Sequence, residues 1–280
     1  MSLITCLEYL ACDKIIVPQI NKLKKYYPHL SPLILNNLKN IKNILLDALF
    51  PVYCQACRKE GFWLCEDCLK QTKVLDFQVC PDCENIITDK GFLCPRCRSS
   101  GKLHLDAMLC AVSYDKPAIK QLVHNFKYRF VRGIAGPLAD LLNTALLRND
   151  FPLPDFLVPV PLHPRRLRWR GFNQGLLLAE YISENLSPLM KTEVLDFLGR
   201  VKFNRPQMGI KSYQDRLKNV QGVIGLKADA DLEKIKNKKV LLIDDIATTG
   251  ATLEECAKVL KAAGAKKVFA AVVARQSLKK

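Results

Sequence analysis

The stretch Val240-Leu-Leu-Ile-Asp-Asp-Ile-Ala-Thr-Thr-Gly-Ala-Thr252 carries the most structural information in this chain. Its first four residues are apolar and suit a strand that is buried on both faces of a sheet. Asp244 and Asp245 follow at once, and open α/β sheets bind ligands beyond the carboxyl ends of such strands. The short turn that comes next leads into a helix, where backbone N–H and hydroxyl groups favour a phosphate. We therefore predict a phosphate-binding strand–turn–helix whose helix starts at a Thr252–Glu255 capping box.

The flanking segments predict that this strand belongs to a parallel sheet. Apolar residues on one helix face follow the turn, namely Leu253, Cys256, Ala257 and Leu260. Val268–Ala274 is the next strand candidate, so the order is strand, helix, strand with a right-handed crossover. Upstream, the same patterns predict strands at 107–114 and 156–161 and helices from 116, at 136–147 and at 172–186. We assign the chain to the α/β class, with a parallel sheet flanked by helices.

Eight of the twelve cysteines form four Cys-x-x-Cys pairs between residues 51 and 105. Each pair can place two thiolates on one turn, and two such turns complete a tetrahedral Zn²⁺ site. The predicted ligands are Cys54, Cys57, Cys65, Cys68, Cys80, Cys83, Cys94 and Cys97. Sequential pairing of the turns requires only short hairpins, but crossed pairing and a single occupied site stay open. We interpret the metal as structural, because four thiolates leave no open position for a substrate.

Two other uses of paired cysteines fit this sequence less well. Disulfides need an oxidising compartment, and the N-terminal residues lack the basic region and cleavage site of a signal peptide. Thioredoxin-like chemistry needs a pair between a strand and a helix of a βαβ unit, which none of these pairs has. No apolar run approaches the ~18–20 residues of a membrane-spanning helix. We expect a cytoplasmic protein with no membrane span.

The chain is strongly basic, with a formal net charge of +16 at pH 7. Four of its arginines lie within six residues, in a segment after 156–161 that we predict to be a loop. Arginine suits bidentate contacts with phosphate, and aromatic side chains stack on bases. The predicted nucleic-acid contacts are Arg165, Arg166, Arg168, Trp169, Arg170 and Lys127. The alternative is a solvated basic loop with Trp169 packed on the sheet edge.

Residues 240–252 resemble, over their full length, the phosphoribosyl-pyrophosphate signature of type I phosphoribosyltransferases. That resemblance implies that Asp244 and Asp245 hold the ribose hydroxyls, with Mg²⁺ close by. It assigns the 5′-phosphate to the turn residues Ala247, Thr248, Thr249, Gly250, Ala251 and Thr252. It assigns pyrophosphate to a loop lined by Val160, Pro161 and Leu162, where Arg165 or Arg166 neutralises the leaving group. A Walker-type site fits less well, because the Gly-x-x-x-x-Gly-Lys-Ser/Thr pattern is absent.

Residues 50–275 are similar to the ComF family, amidophosphoribosyltransferase-like proteins associated with natural competence. The similarity rests on the cysteine pairs, the signature and further motifs in the family's order: Phe126-Lys-Tyr128, Pro159-Val-Pro-Leu162, Arg170-Gly-Phe-Asn-Gln174, Arg205-x-Gln207 and Arg216-x-x-Asn219. It implies an extension of unknown role at 1–50, a zinc-ribbon module at 51–105 and a type I phosphoribosyltransferase-like domain at 106–280. It also implies that the protein handles incoming single-stranded DNA in the cytosol, beside a helicase-like partner. The polar segment 199–219 has the length and charge of a lid over the site.

Two functions stay open at the level of sequence. In the first, the protein serves competence, and its phosphoribosyl-pyrophosphate pocket is regulatory or vestigial. In the second, it is a working phosphoribosyltransferase that acts on an unidentified acceptor, which the intact Asp244–Asp245 pair favours. Against the second, the chain has no recognisable acceptor-binding residues and no glutaminase nucleophile.

Overall fold

The computed structural model describes residues 51–185, 192–201 and 220–276. The chain divides between Cys65 and Glu66 into two compact units. The N-terminal extension and most of the predicted lid, residues 202–219, lie outside the described residues. No helix in the described ranges is long and apolar enough to cross a membrane.

The described part of the first unit, residues 51–65, is a short irregular segment around the first cysteine pair. Tyr53 and Glu60 form an isolated antiparallel bridge. The N–H of Arg58 donates to the carbonyl oxygen of Cys54 at 3.0 Å. This hydrogen bond closes the reverse turn that carries the pair.

The second unit begins with short elements around the other cysteines. These elements are α1 (Glu66–Gln71), β1 (Gln78–Val79), β2 (Ile87–Thr88) and α2 (Pro95–Ser100). β1 and β2 pair antiparallel. Both strands have two residues, so this part of the chain depends on its turns and on its contacts with the larger sheet.

A five-stranded parallel sheet forms the centre of the second unit, in the strand order β3-β9-β8-β4-β5. Its strands are β3 (Ala107–Ser113), β4 (Phe156–Pro159), β5 (Glu193–Val194), β8 (Lys239–Ala247) and β9 (Lys267–Arg275). A separate antiparallel hairpin is formed by β6 (Leu198–Arg200) and β7 (Ile224–Leu226). The α/β class and the parallel sheet that the sequence predicted are confirmed.

The helices of the second unit have the apolar faces that their sequences predicted. They are α3 (Pro117–Tyr128), α4 (Ala135–Arg148), α5 (Pro164–Arg170), α6 (Gln174–Asn185) and α7 (Ala251–Ala262). The four predicted apolar positions of α7 are all buried: Leu253, Cys256, Ala257 and Leu260. With β8 and β9 on either side of α7, the predicted βαβ unit is confirmed.

Gly175, in the first turn of α6, allows this helix to lie close to the ends of two strands. A Cβ atom at this position would be 2.7 Å from the carbonyl oxygen of Ile243 in β8. It would also be 3.3 Å from the nitrogen of Val160, just after β4. Since both neighbours are backbone atoms, they cannot move aside cheaply, and only glycine fits here.

The local geometry of residues 244–255 differs from the sequence prediction in two ways. β8 continues to Ala247 instead of ending before the acids, because these residues keep pairing with β9 after β4 has ended. The predicted capping box is wrong: α7 starts at Ala251, after Gly250 in the left-handed conformation with φ 74°. Glu255 instead accepts the backbone N–H of Gly222 at 2.8 Å.

The segment rich in arginine is a helix, so the prediction of a loop was wrong. Pro164 occupies its first turn, where a missing N–H costs nothing. The Nδ1 atom of His163 accepts the backbone N–H of Arg165 at 3.1 Å and caps the helix. Gly171, with φ 80°, ends it in the left-handed conformation. The terminal signals were present, but the charged residues between them had suggested a solvated loop.

Candidate functional site

A cavity of about 930 Å³ opens at the carboxyl end of the sheet, within the size range of small-molecule sites. Residues at or just after the ends of four parallel strands contribute to its wall: Tyr114, Val160, Asp244, Asp245 and Gln276. The turn into α7 and one face of α5 complete it. This is the edge at which open α/β sheets bind ligands.

In the acid pair that lines the cavity, Asp244 and Asp245, some carboxylate oxygens have a partner and one has none among the described residues. Oδ1 of Asp245 lies 2.9 Å from Nζ of Lys127, which comes from α3. Oδ1 of Asp244 accepts the backbone N–H of Asp245 at 2.8 Å. Oδ2 of Asp245 is buried, and within the described part of the chain nothing hydrogen-bonds to it. A buried carboxylate oxygen without a partner is costly, so this atom marks a place for a ligand's hydroxyl group or a hydrated cation.

The charges of the acid pair are only partly balanced. Burial, followed by the charge of Asp245, raises the pKa of Asp244 to about 7, although Lys127 opposes this. Burial lowers the pKa of Lys127, but the charges of Asp245 and Asp244 outweigh it, so that the pKa is raised overall. One ammonium group thus faces two carboxyl groups, and a further cation bound here would favour the ionised form of both. Lys127, predicted to contact nucleic acid, lies at the acid pair.

The turn between β8 and α7 presents most of its predicted residues to the cavity. Those that line it are Ala247, Thr248, Gly250, Ala251 and Thr252. Thr249 is buried instead, and its Oγ1 accepts the backbone N–H of Ala251 at 3.3 Å. The start of α7 therefore faces the cavity, where the partial positive charge of a helix N-terminus favours an anion.

The loop after β4 also contributes to the wall of the cavity, through Val160, Pro161 and Leu162. Two hydrogen bonds hold this loop. Nδ2 of Asn173 donates to the carbonyl oxygen of Val160 at 3.1 Å. Nε of Arg200, from β6, donates to the carbonyl oxygen of Pro161 at 2.8 Å. The loop is therefore fixed from α6 and from the β6–β7 hairpin.

Arg200 also lines the cavity, and the sequence analysis had placed it only in the predicted lid. Arg200 lies forty positions before the signature in the sequence. Its approach to the loop after β4 depends on the β6–β7 hairpin, which brings together residues more than twenty positions apart. Sequence spacing does not specify such a pairing.

Helix α5 turns its basic and aromatic side chains toward the cavity on one face. Arg165, Arg166, Trp169 and Arg170 line the cavity, whereas Arg168 does not. The helical repeat explains the division, since positions i, i+1, i+4 and i+5 share a face that i+3 lies beside. The ring of Trp169 packs edge-on against Phe130 at 5.0 Å between centroids, and 52% of the residue is exposed.

Arg170 is the most constrained of these arginines. Its Nη1 donates to Oε1 of Gln174 at 3.0 Å, and its guanidinium group lies 5.6 Å from the ring centroid of Tyr128. Its Nε is buried, and no acceptor among the described residues reaches it. The cavity thus has an unsatisfied acceptor on Asp245 and an unsatisfied donor on Arg170. A ligand that carries both hydroxyl groups and phosphates would satisfy both.

The paired cysteines come together within each compact unit. In the first unit the sulfur atoms of Cys54, Cys57 and Cys65 lie within 4.8 Å of one another. Cys68 lies in α1 of the second unit. In the second unit the sulfur atoms of Cys80, Cys83, Cys94 and Cys97 also lie within 4.8 Å of one another. Sulfur ligands at ~2.3 Å from Zn²⁺ stand ~3.8 Å apart in a tetrahedral site, so this group of four can hold a metal ion.

The second cysteine group is anchored beside the cavity. Arg275, the last residue of β9, donates from Nη2 to the carbonyl oxygen of Pro81 at 3.0 Å and pairs with Glu84 at 2.6 Å. Both partners belong to the turn that carries Cys80 and Cys83. The next residue, Gln276, lines the cavity. A structural metal in this group would therefore steady the end of β9 at the cavity.

Comparison with known proteins gives matches over most of the chain. The family model described as "Phosphoribosyl transferase domain" matches residues 173–280. Competence protein F from Haemophilus influenzae is 30% identical over 234 residues, which cover 78% of this chain and 95% of that protein. DNA utilization protein YhgH from Escherichia coli K12 is 30% identical over 223 residues, with 77% and 93% covered.

Among solved structures, a purine phosphoribosyltransferase from Pyrococcus horikoshii matches with 20% sequence identity. The alignment covers 50% of this chain and 81% of that chain, with a TM-score of 0.30. That score is too low to support an argument. The parallel sheet and the family model establish the phosphoribosyltransferase-like architecture without it.

Proposed function

The chain belongs to the ComF family of competence proteins, and from this premise we propose that it handles single-stranded DNA and binds phosphoribosyl pyrophosphate in its cavity. Relatives that align over more than nine-tenths of their length carry the names competence protein and DNA utilization protein. We extend that role to this chain as cytosolic handling of incoming single strands during transformation. A helicase-like competence protein is the partner that such a role calls for.

The observation that carries the proposal for phosphoribosyl pyrophosphate is the buried Oδ2 of Asp245, which has no hydrogen-bond partner among the described residues, in a cavity that the turn into α7 also lines. Ribose hydroxyl groups are donors of the kind that this carboxylate oxygen lacks. Thr248 and Thr252 add hydroxyl groups suited to the 5′-phosphate, and Arg165 and Arg166 line the same cavity, where their guanidinium groups suit the pyrophosphate. The cavity thus offers a partner for each polar part of the ligand.

Mg²⁺ fits the same site because carboxylate oxygens are its preferred protein ligands and the acid pair carries excess negative charge. Asp244 and Asp245 are the residues that would hold it. When bound, Mg²⁺ supplies positive charge to the pyrophosphate. The protein itself orients the ribose through the acid pair and receives the phosphates at the turn and on α5.

Single-stranded DNA is proposed to bind along α5. Arginines on one helix face suit backbone phosphates, and a half-exposed tryptophan at the rim of the cavity suits a stacked base. The chain's charge of +16 would favour this binding, which should weaken as salt is added. Anisotropy of a labelled oligonucleotide across a salt series measures it. Absence of binding at ~0.1 M salt would contradict the DNA part of the proposal.

Calorimetric titration of Mg²⁺ with phosphoribosyl pyrophosphate into the full chain tests the cavity. We expect saturable binding by the wild type and a loss of about 10–100-fold in affinity in Asp245→Asn, since hydrogen bonds to a charged group are worth ~1.5–3 kcal/mol. Asp229→Asn is the matched control, because Asp229 is exposed and does not line the cavity. Equal affinity in the wild type and Asp245→Asn would exclude the acid pair as the binding site.

Phosphoribosyl transfer is the second candidate function, favoured by the presence of arginines and the acid pair in one cavity. In this reaction the bond from the ribose carbon to pyrophosphate breaks and its electron pair leaves with pyrophosphate. A nitrogen of the acceptor then forms the new bond to that carbon and loses a proton. Arginines placed where charge develops on the leaving group would lower the barrier.

Release of pyrophosphate tests this second function. We expect release to depend on an added amine, ammonia or nucleobase and to fall in Arg166→Ala. Arg168→Ala is the control, since it removes the same charge from the same helix but from outside the cavity. No release with any acceptor, from a protein that binds the ligand calorimetrically, would leave binding as the function of the site.

A further inference from the structure

We infer that phosphoribosyl pyrophosphate and single-stranded DNA occupy the same cavity and exclude each other, so that the small ligand regulates binding of DNA. This inference rests on the proposed function, because it requires both ligands to bind. It goes further in stating that the two sites are one. The signature residues and the basic segment lie about eighty positions apart in the sequence.

The structure places both sets of residues around a single cavity. Arg165, Arg166 and Arg170, predicted to contact nucleic acid, line the same space as Asp245 and the turn into α7. Its volume of about 930 Å³ lies within the ~300–1,000 Å³ range of a single small-molecule site.

The electrostatics of the cavity also favour one anion at a time. Its arginine and lysine side chains come from α5, from Arg200 of β6 and from Lys127 of α3. Lys127 is already paired with Asp245 at 2.9 Å. A pyrophosphate group and a DNA phosphate would therefore draw on the same arginines, and their mutual repulsion in a partly buried site exceeds that in water.

The rim of the cavity gives DNA a way in that does not need the acid pair. Trp169 is 52% exposed and lies next to two arginines of α5. A base stacked on this ring would direct its phosphate to the arginines, as in other single-strand sites that combine aromatic and basic side chains. The DNA would then cover the position of pyrophosphate while leaving Asp244 and Asp245 untouched.

Competition between the two ligands tests the inference. Anisotropy of a labelled oligothymidylate bound to the full chain is followed while Mg²⁺ with phosphoribosyl pyrophosphate is added at constant ionic strength. We expect the apparent Kd for DNA to rise in proportion to the added ligand without a plateau, by about tenfold at ten times that ligand's own Kd. In Asp245→Asn we expect DNA to bind at least as tightly, and the same concentration of the small ligand to raise the apparent Kd by only about twofold or less.

Two arginine variants distinguish binding inside the cavity from a general effect of the protein's positive charge. Arg166→Ala should weaken the binding of both ligands, whereas Arg168→Ala, on the same helix but outside the cavity, should preserve the competition. A plateau in the apparent Kd would mean that both ligands bind together, which overturns the inference and leaves the proposed function intact. An equal shift in Asp245→Asn would reveal bulk ionic competition and also overturn it. Failure of either ligand to bind alone would remove the proposed function as well.

Discussion

The two ends of the parallel sheet differ in how completely their carboxylates are paired. At the amino end, Asp106 precedes β3 and lies 2.7 Å from Nζ of both Lys261 and Lys267. It also accepts the backbone N–H of Val268 at 2.9 Å. At the carboxyl end, two acids share one lysine, and an oxygen of Asp245 has no partner among the residues that the structure describes.

This contrast separates a stabilising site from the proposed binding site within one sheet. Burial raises the pKa of Asp106, but its two lysines outweigh burial and the pKa is lowered. Burial and a neighbouring acid raise the pKa of Asp244 to about 7. Where the opposite charges are complete, the carboxylate stabilises the fold. Where they are incomplete, the fold tolerates a cost that a bound ligand removes.

The largest effect is expected from Lys127→Met, which removes the lysine that pairs with Asp245. Breaking a buried ion pair costs ~3–5 kcal/mol, and we expect the low end because 20% of the lysine side chain is exposed. Urea unfolding measures the loss. Added Mg²⁺ should restore part of the stability, because a cation at the acid pair replaces the ammonium group.

Lys261→Met, at the amino end, is the matched control. Asp106 keeps Lys267 and the N–H of Val268 in this variant, so the loss should be ~1 kcal/mol or less and Mg²⁺ should not restore it. Equal losses at the two ends, or an equal response to Mg²⁺, would erase the distinction between them.

A smaller effect is expected when the completed carboxylate itself is changed. Asp106→Asn leaves two lysines without their acceptor and should cost ~2 kcal/mol, the usual range for hydrogen bonds to charged groups. Asp245→Asn should destabilise less, because Asp244 remains beside Lys127. Thermal unfolding compares the two variants, and calorimetry should give the reverse order for phosphoribosyl pyrophosphate. If Asp106→Asn also loses the binding of phosphoribosyl pyrophosphate, the contrast between the two ends of the sheet is wrong.

More of the arrangement at the carboxyl end of the sheet than at its amino end could be predicted from the sequence. Val240–Thr252 contains its strand, acids and turn in thirteen consecutive residues, so local rules specify most of the site. The cluster at Asp106 joins residues about 160 positions apart, and no local pattern indicates it. The same limit explains Arg200, which reaches the cavity through the β6–β7 hairpin.

The errors within the predicted site have a different cause, which is competition between local signals. The Thr252–Glu255 pattern was a valid capping box, but the left-handed Gly250 already fixes the start of α7, and Glu255 binds elsewhere. The charges of 165–170 suggested a loop, yet Pro164 and Gly171 mark both ends of a helix. In each case backbone geometry outweighed side-chain character.

The smallest expected effect is a difference in how stability depends on pH. Since the folded-state pKa of Asp244 is raised to about 7, the folded protein holds a proton there that the unfolded chain releases near pH ~4. The stability gained below pH ~4 is therefore lost as the pH rises toward 7, by at most ~1.4 kcal/mol per pH unit. Asp106 has a lowered pKa, so its contribution is present above pH ~4 and lost only as the pH falls further. Urea unfolding at pH 5, 6 and 7 should show a flatter profile in Asp244→Asn and an unchanged slope in Asp106→Asn. If Asp244→Asn retains the wild-type slope, the excess negative charge at the carboxyl end is neutralised in some other way, and the contrast between the two ends loses its electrostatic basis.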